Sequence, residues 1–405
     1  VCFPFVSFSF CSLLLRRPPL RPTLFPYTTL FRSSELGLNA TEGSAWPAVI
    51  SHFRSDETLE AVLSLITDGD EFDAYYDQLL PQYGDGTMKQ LASLSEAATG
   101  AVGQHLQIVG AGGRRDGDGW VQQFGDYRKQ DATQETDTVS GTSYGMALGY
   151  DAPAGFAEAV GMYAQMSFTS VHEKPSLLPN AIAPGRDEVK AESFGVGAYM
   201  ADKIGPVRYE LSAAAGSIAF DSLRSVQFNG VSDVLAAAWD GASTSASARV
   251  IYPILEDDHL LRIEAGRDYF SLKQDDYTER TLLTVGRDLA LRVRGGNSDM
   301  TSDYIGVRGS LVRGGGSPSD IVWEPNYYLG FRSVDNYSAY SAKANFVGND
   351  VVFDLKSQDE SSDTTKLSLG VAAHNNYFAF EFNYRGKFGD GGEVHGGGIS
   401  VRLLF

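Results

Sequence analysis

From Gly119 to the last residue the side chains alternate in character with a period of two, and the sense of the alternation limits the folds open to this chain. Successive side chains of a strand point to opposite faces. In "IVWEPNYYLGFR", Ile321, Trp323, Pro325, Tyr327, Leu329 and Phe331 share one face, opposite Glu324, Asn326, Gly330 and Arg332. "FAFEFNYRGK" sets Phe378, Phe380, Phe382 and Tyr384 against Ala379, Glu381, Asn383 and Arg385. "LLRIEAGRDYF" does the same with Leu261, Ile263, Ala265 and Tyr269, with Arg267 as its exception. A closed soluble barrel would have to bury one of these faces, and a dry interior filled with Glu, Arg and Asp is costly unless every charge is paired. A hydrated lumen removes that cost. Hydrocarbon then takes the apolar face, and closure of the sheet satisfies each backbone group.

Twelve such segments are expected, with starts near Gly119, Ser143, Phe156, Val189, Pro206, Ser243, His259, Ser302, Ile321, Thr364, Tyr377 and Val394. Long polar stretches (129–140, 172–188, 221–240, 273–299 and 334–362) alternate with short turns such as "DAPAG", "DKIGP" and "GDGG". Long loops at one end and tight turns at the other describe an outer-membrane barrel, and an even strand count returns both ends of the barrel to one side. The expected fold is all-β: a transmembrane antiparallel up-and-down β-barrel of about 12 strands with an N-terminal helix threading the pore. The last strand, "GGGISVRLLF", puts Ile399, Val401, Leu403 and Phe405 on one apolar face.

Composition agrees. Asp and Glu outnumber Lys and Arg by 51 to 33, for a formal net charge of -18, so nucleic acid is not an expected partner. Twenty Tyr, 23 Phe and 44 Gly suit alternating strands with aromatic girdles. Beyond the opening segment no uncharged apolar run reaches the roughly 18 residues of a membrane helix. Both cysteines, Cys2 and Cys11, lie in that opening segment, which accords weakly with passage through an oxidising compartment.

The chain divides into four parts. In residues 1–33 the basic pair Arg16 and Arg17 follows the apolar stretch, whereas an export signal places its charges first. Thr23 to Ser33, "TLFPYTTLFRS", resembles residue for residue the translation of a widely used sequencing adapter, so residues 1–33 are expected to be read-through from contaminating DNA, with the natural N-terminus missing. Residues 34–80 are partly helical: Leu59, Val62, Leu63 and Ile66 recur at helical spacing and Asp56 is placed to cap them. Residues 81–118 hold a second helix, Thr87 to about Gln107, weakly amphipathic and rich in small residues, which suits a narrow channel. Residues 119–405 are the barrel.

Enzymatic motifs are weak. Gly141-Thr142-Ser143-Tyr144-Gly145 matches G-x-S-x-G but opens a strand, where a nucleophile elbow needs a following helix. "DGDEFD", Asp68 to Asp73, lacks the glycine and distal Glu of a calcium loop. Glu393 and His395 beside Asp390 read as wet loop charges, and the six histidines are dispersed. The expectation is a chain that is not an enzyme, with no cofactor and no metal.

"FNYRGKFGDGGEVHGGGISVRLLF" resembles the last hairpin of the autotransporter translocators, the type V secretion family of Gram-negative outer membranes; "WVQQFGDYRKQ" and "SYGMALGYD" resemble the first two strands. The resemblance runs from near Pro81 to Phe405. It implies a twelve-stranded barrel that anchors in the outer membrane and exports its own N-terminal passenger, with the passenger at the cell surface or secreted. It makes the helix a pore helix, with Thr87, Leu91, Leu94, Ala98, Ala101 and His105 on it. Ile399, Val401, Leu403 and Phe405 become the signal read by the barrel assembly machinery. The other implied partners are outer-membrane lipid, periplasmic chaperones and the passenger itself, of which 34–80 would be a remnant. Two departures stand out. The family often ends in aromatic-Arg-Phe, and here Arg402 precedes Leu403-Leu404-Phe405. Members that cut themselves in the pore use an Asn, and none occurs between Ala40 and Pro179, so that cleavage is not expected. The rival readings are a passive outer-membrane porin and an outer-membrane barrel hydrolase.

Overall fold

The computed structural model describes residues 38, 40–63, 72, 75–81, 84–109, 117–130, 138–173, 187–228, 231–256, 259–282, 289–314, 320–356, 363–375, 377–389 and 392–404. The first 33 residues, the acidic turn at Asp68 and Phe405 lie outside them.

Twelve long strands are described: β1 (Asp118–Gln130), β2 (Val139–Ala154), β3 (Ala157–Glu173), β4 (Glu188–Ile204), β5 (Val207–Phe228), β6 (Val231–Glu256), β7 (His259–Gln274), β8 (Leu291–Leu311), β9 (Val322–Phe346), β10 (Asp363–His374), β11 (Phe378–Gly389) and β12 (Gly392–Leu404). Each pairs antiparallel with the next. β12 returns to β1 in unbroken register, from Leu404 against Asp118 to Gly392 against Gln130. The sheet is therefore a closed barrel with no free edge. No described helix is long and apolar enough to cross a membrane.

The faces divide as the alternation requires. Leu148, Met162, Phe194, Val196, Ile305, Leu329, Phe380, Phe382, Ile399, Val401 and Leu403 are exposed around the outside. Gln122, Asp151, Glu210, Glu264, Arg332, Glu381, Asn383 and Arg402 are buried within. A water-facing exterior this apolar would be an aggregation surface; against lipid it is the expected belt. Arg267, the exception noted above, does point outward, where it forks onto Asp303 and reaches Asp335.

Two expectations need correction. The stretches 221–228, 231–240, 291–299 and 334–346 are strand and not loop. β6 starts at Val231 instead of Ser243, and β8 at Leu291 instead of Ser302. The "GDGG" turn between β11 and β12 also lies at the long-loop end, since twelve strands place every second connection there.

Those early starts have a physical reason. Along β6 the inward residues are Ser243, Ser245, Ser247 and Arg249 in the lower part but Leu235, Ala237 and Trp239 in the upper part. Parity is kept while polarity reverses. The upper walls of β5, β6, β8 and β9 enclose apolar side chains, among them Phe220, Val226, Leu291, Val293, Phe346 and Phe353. Phe220 stacks on Trp239 at 5.1 Å and Trp239 on Tyr277 at 4.3 Å.

Helices close this upper chamber. α1 (Ala40–Arg54) buries Ala45, Ala48, Val49 and Phe53, and its His52 stacks on Phe346 at 4.6 Å. Thr41 Oγ1 donates to Lys356 O at 2.7 Å, and Ser44 Oγ accepts from Asp354 N at 2.8 Å. Asp56 caps α2 (Glu57–Leu63), accepting from Leu59 N at 3.2 Å. Residues 75–81 are fixed by a buried pair: Arg224, forked onto Glu279, also donates to Gln78 O at 2.8 Å and Leu289 O at 3.1 Å. The chain then enters the barrel as α3 (Gly84–Val109), slightly longer than the 87–107 expected from sequence.

Candidate functional site

The lumen is occupied by the protein's own chain. α3 is 26 residues, about 39 Å at 1.5 Å per residue, long enough to run the height of the barrel. Its first turns lie at the long-loop end, where a Cβ on Gly86 would sit 2.7 Å from Val139 Cγ1. Its last carbonyls lie at the short-turn end, where they accept hydrogen bonds from the barrel wall.

One face of the helix is small and apolar. Thr87, Leu91, Leu94, Ala98, Ala101 and His105 are all buried, none more than 5 % exposed. Leu91 and Leu94 face a recess lined also by Phe124, Ala214 and Ile218. The contacts around that packing are polar. Gln90 Nε2 donates to Asp126 Oδ1 and Ser143 Oγ, both at 2.6 Å, and Ser93 Oγ donates to Asp126 Oδ2 at 2.8 Å. Gln104 Oε1 accepts from Gln122 at 2.8 Å and Asn383 at 3.3 Å. At the bottom His105 meets Asp151 at 2.7 Å and stacks on Trp120; Tyr199 donates to the same Asp151 oxygen at 3.0 Å and accepts from Trp120 Nε1 at 2.8 Å.

The opposite face carries one carboxylate, Glu96, and three strands converge on it. Arg332 of β9 lies 3.3 Å away, Lys366 of β10 2.7 Å, and Lys387 of β11 closes the cluster. Lower down Arg249 of β6 spans Glu210 at 2.8 Å and Glu264 at 3.8 Å, and Arg308 pairs with Glu264 at 2.7 Å. The C-terminal carbonyls of α3 accept from arginines, Arg208 on Leu106 O at 3.1 Å and Arg402 on His105 O at 3.4 Å. Cations at that end complement the helix dipole.

The lumen thus holds a helix by apolar packing along one face and by hydrogen bonds and ion pairs around the rest. A family model, the autotransporter β-domain, matches residues 119–385. The chain belongs to the autotransporter family. It is an outer-membrane translocator barrel that associates with its own passenger. Among solved structures it is similar in fold to the translocator domain of the autotransporter NalP from Neisseria meningitidis, at 13% identity and a TM-score of 0.58, covering 80% of this chain and 99% of that one. It is also similar to the β domain of the Bordetella autotransporter BrkA, at 16% identity and a TM-score of 0.50, covering 72% and 100%. No curated protein sequence matches the chain.

Of the autotransporter features expected from sequence, the final strand sets Ile399, Val401 and Leu403 outward, 43 to 52% exposed. Ser143 lies inside, against Gln90 and Thr169. His395 is on the outer face, 2.8 Å from Tyr384 Oη and 3.4 Å from Glu393. Sequence reading missed the Glu96 cluster. Its signal was present: Lys89 and Glu96 are the only formally charged residues from Thr87 to Gln107, and Arg332 was already assigned to the inner face.

Proposed function

We propose that this barrel is the route by which its passenger reaches the cell surface, and that α3 is the tail of that passage, left in the lumen as a seal. One observation carries this: α3 enters from β1 at the short-turn end and leads to residues 75–81 and α1 at the long-loop end, so whatever is joined ahead of it emerges there. The polar seat supports a chain that slides and then locks, because its hydrogen bonds exchange with water at small net cost. No energy-coupling site is required of the barrel, since folding beyond the membrane biases the movement.

The test is a fusion of an export signal and an epitope-tagged reporter ahead of Ser34, expressed in a Gram-negative host. Added protease should remove the tag from intact cells, and deleting 119–405 should leave it in the periplasm. A tag that stays protected while the barrel is correctly inserted would overturn the reading.

The barrel assembly machinery and periplasmic chaperones belong to the same proposal. The outward Ile399, Val401 and Leu403, with Phe405 after them, support recognition of the last strand during insertion. Replacing Leu403 and Phe405 with serine should lower the yield of inserted barrel without destabilising barrel already folded. The protein is further proposed to act without a catalytic step of its own; the engagement of Ser143 by Gln90 supports this, and Ser143→Ala should leave any hydrolysis of lipid or peptide esters unchanged.

A further inference from the structure

α3 does not fill the lumen evenly. It makes most of its contacts with β1 to β3, beside the uncharged recess at Leu91 and Leu94, and on the other side three charged recesses follow one another along β7 to β11. The uppermost reaches Gly392 and Val394, at the rim where β11 leads into β12. The middle one lies beside Thr99, Gly100 and Gln104. The lowest reaches Leu260, Ser310 and Ala372 near the short-turn end. Glu96 and Arg332 line both the first and the second, and Gln104 and Arg308 line both the second and the third.

The charge lining these recesses is opposite to that of the whole molecule. Nine arginines and lysines face five carboxylates, in a chain of formal net charge -18. Two of the cations, Arg262 and Arg385, make no hydrogen bond or close ion pair among the described residues, although both line a recess. A low-dielectric wall focuses the field of such charges into the space beside the helix. That field favours anions.

We propose that the helix-filled barrel keeps a narrow path for small inorganic anions along β7 to β11, throttled where Glu96 draws Arg332, Lys366 and Lys387 together. The path is a property of the occupied lumen and does not depend on whether a passenger has been exported.

A lock separates this path from conduction through an emptied barrel. A Cβ on residue 86 would lie 3.6 Å from Val139 Cβ, within the range of a disulfide. The full chain carrying Gly86→Cys and Val139→Cys, with Cys2 and Cys11 replaced by serine, is oxidised, inserted in planar bilayers and measured under a tenfold KCl gradient. The locked chain should conduct, and its reversal potential should have the sign of chloride preference. Glu96→Gln in that background should raise the chloride-to-potassium permeability ratio about twofold or more by freeing three cations. Arg385→Gln, which breaks no bond, should lower it. A locked chain that passes no current, prefers potassium, or keeps its selectivity in both variants would overturn the proposal; current seen only after reduction of the disulfide would assign conduction to helix departure instead.

Discussion

The guanidinium of Arg249 occupies the space that a Cβ on Gly103 would take. The small residues of α3 are thus a seat for the lumen arginines. Alanine at an ordinary helical glycine adds about 1 kcal/mol of stability. At 103 it has to displace Arg249 from Glu210 and Glu264, and breaking such a buried pair costs roughly 3 to 5 kcal/mol. Gly103→Ala should therefore destabilise the refolded barrel by roughly 2 to 4 kcal/mol in a urea titration. Combined with Arg249→Ala, most of that loss should vanish, with a coupling of at least about 1 kcal/mol.

Arg224 and Glu279, no more than 1% exposed, tie residues 75–81 to the upper walls of β5 and β8. Glu279→Ala leaves a buried guanidinium without its carboxylate, at roughly 3 kcal/mol or more. Because the pair binds Gln78, Leu289 and Leu291 of the upper chamber, the cost should fall there. Protease should reach residues 40–81 at least about tenfold faster, while the strand signal in circular dichroism persists.

Asp187 sits at the same chamber, accepting from Ser225 N at 3.1 Å, and burial pushes its carboxyl up to about 7, against the opposing pull of Arg224. Its ordinary value is 3.8, so between 3.8 and about 7 the folded form holds a proton that the unfolded form has released. Stability from this source is fully present below the lower value and is lost as pH rises through the upper one. Proteolysis of residues 40–81 should be faster at pH 8 than at pH 5, and Asp187→Asn should flatten that difference by protecting the chamber at pH 8.

Arg267, Asp303 and Asp335 form an outward-facing charged cluster, 46 to 63% exposed, and the neighbouring outward residues Ile305 and Phe331 are apolar. Such charges are costly in hydrocarbon and cheap at its boundary. A spin label at 267 should be relaxed by a water-soluble nickel complex and one at 305 by oxygen. The reverse ranking would move the membrane off this belt.

Much of the barrel was legible because lipid and lumen impose opposite demands on neighbouring residues, as Phe380, Glu381 and Phe382 show. The upper walls were not. Leu235, Ala237 and Trp239 keep the inward parity of Arg249, but the helical cap they meet is apolar, so the segment lost the polar-in signature and read as loop. α1 was hidden by Gly43 and Pro47, whose local preferences oppose a helix that is held by packing on Phe346 and Phe353. The partners of Glu96 lie on three distant strands, so no local pattern joins them. The parity of "FGDGGEV" was legible from a count of twelve, and its shortness alone misplaced it among the turns of the other end.

The plugged lumen is tested most directly by single-channel conductance of the barrel with and without Thr87 to Gln107. Removing the helix should raise the conductance severalfold or more. Equal conductance in the two proteins would mean that the helix does not occupy the lumen, and the chain would then be a simple pore.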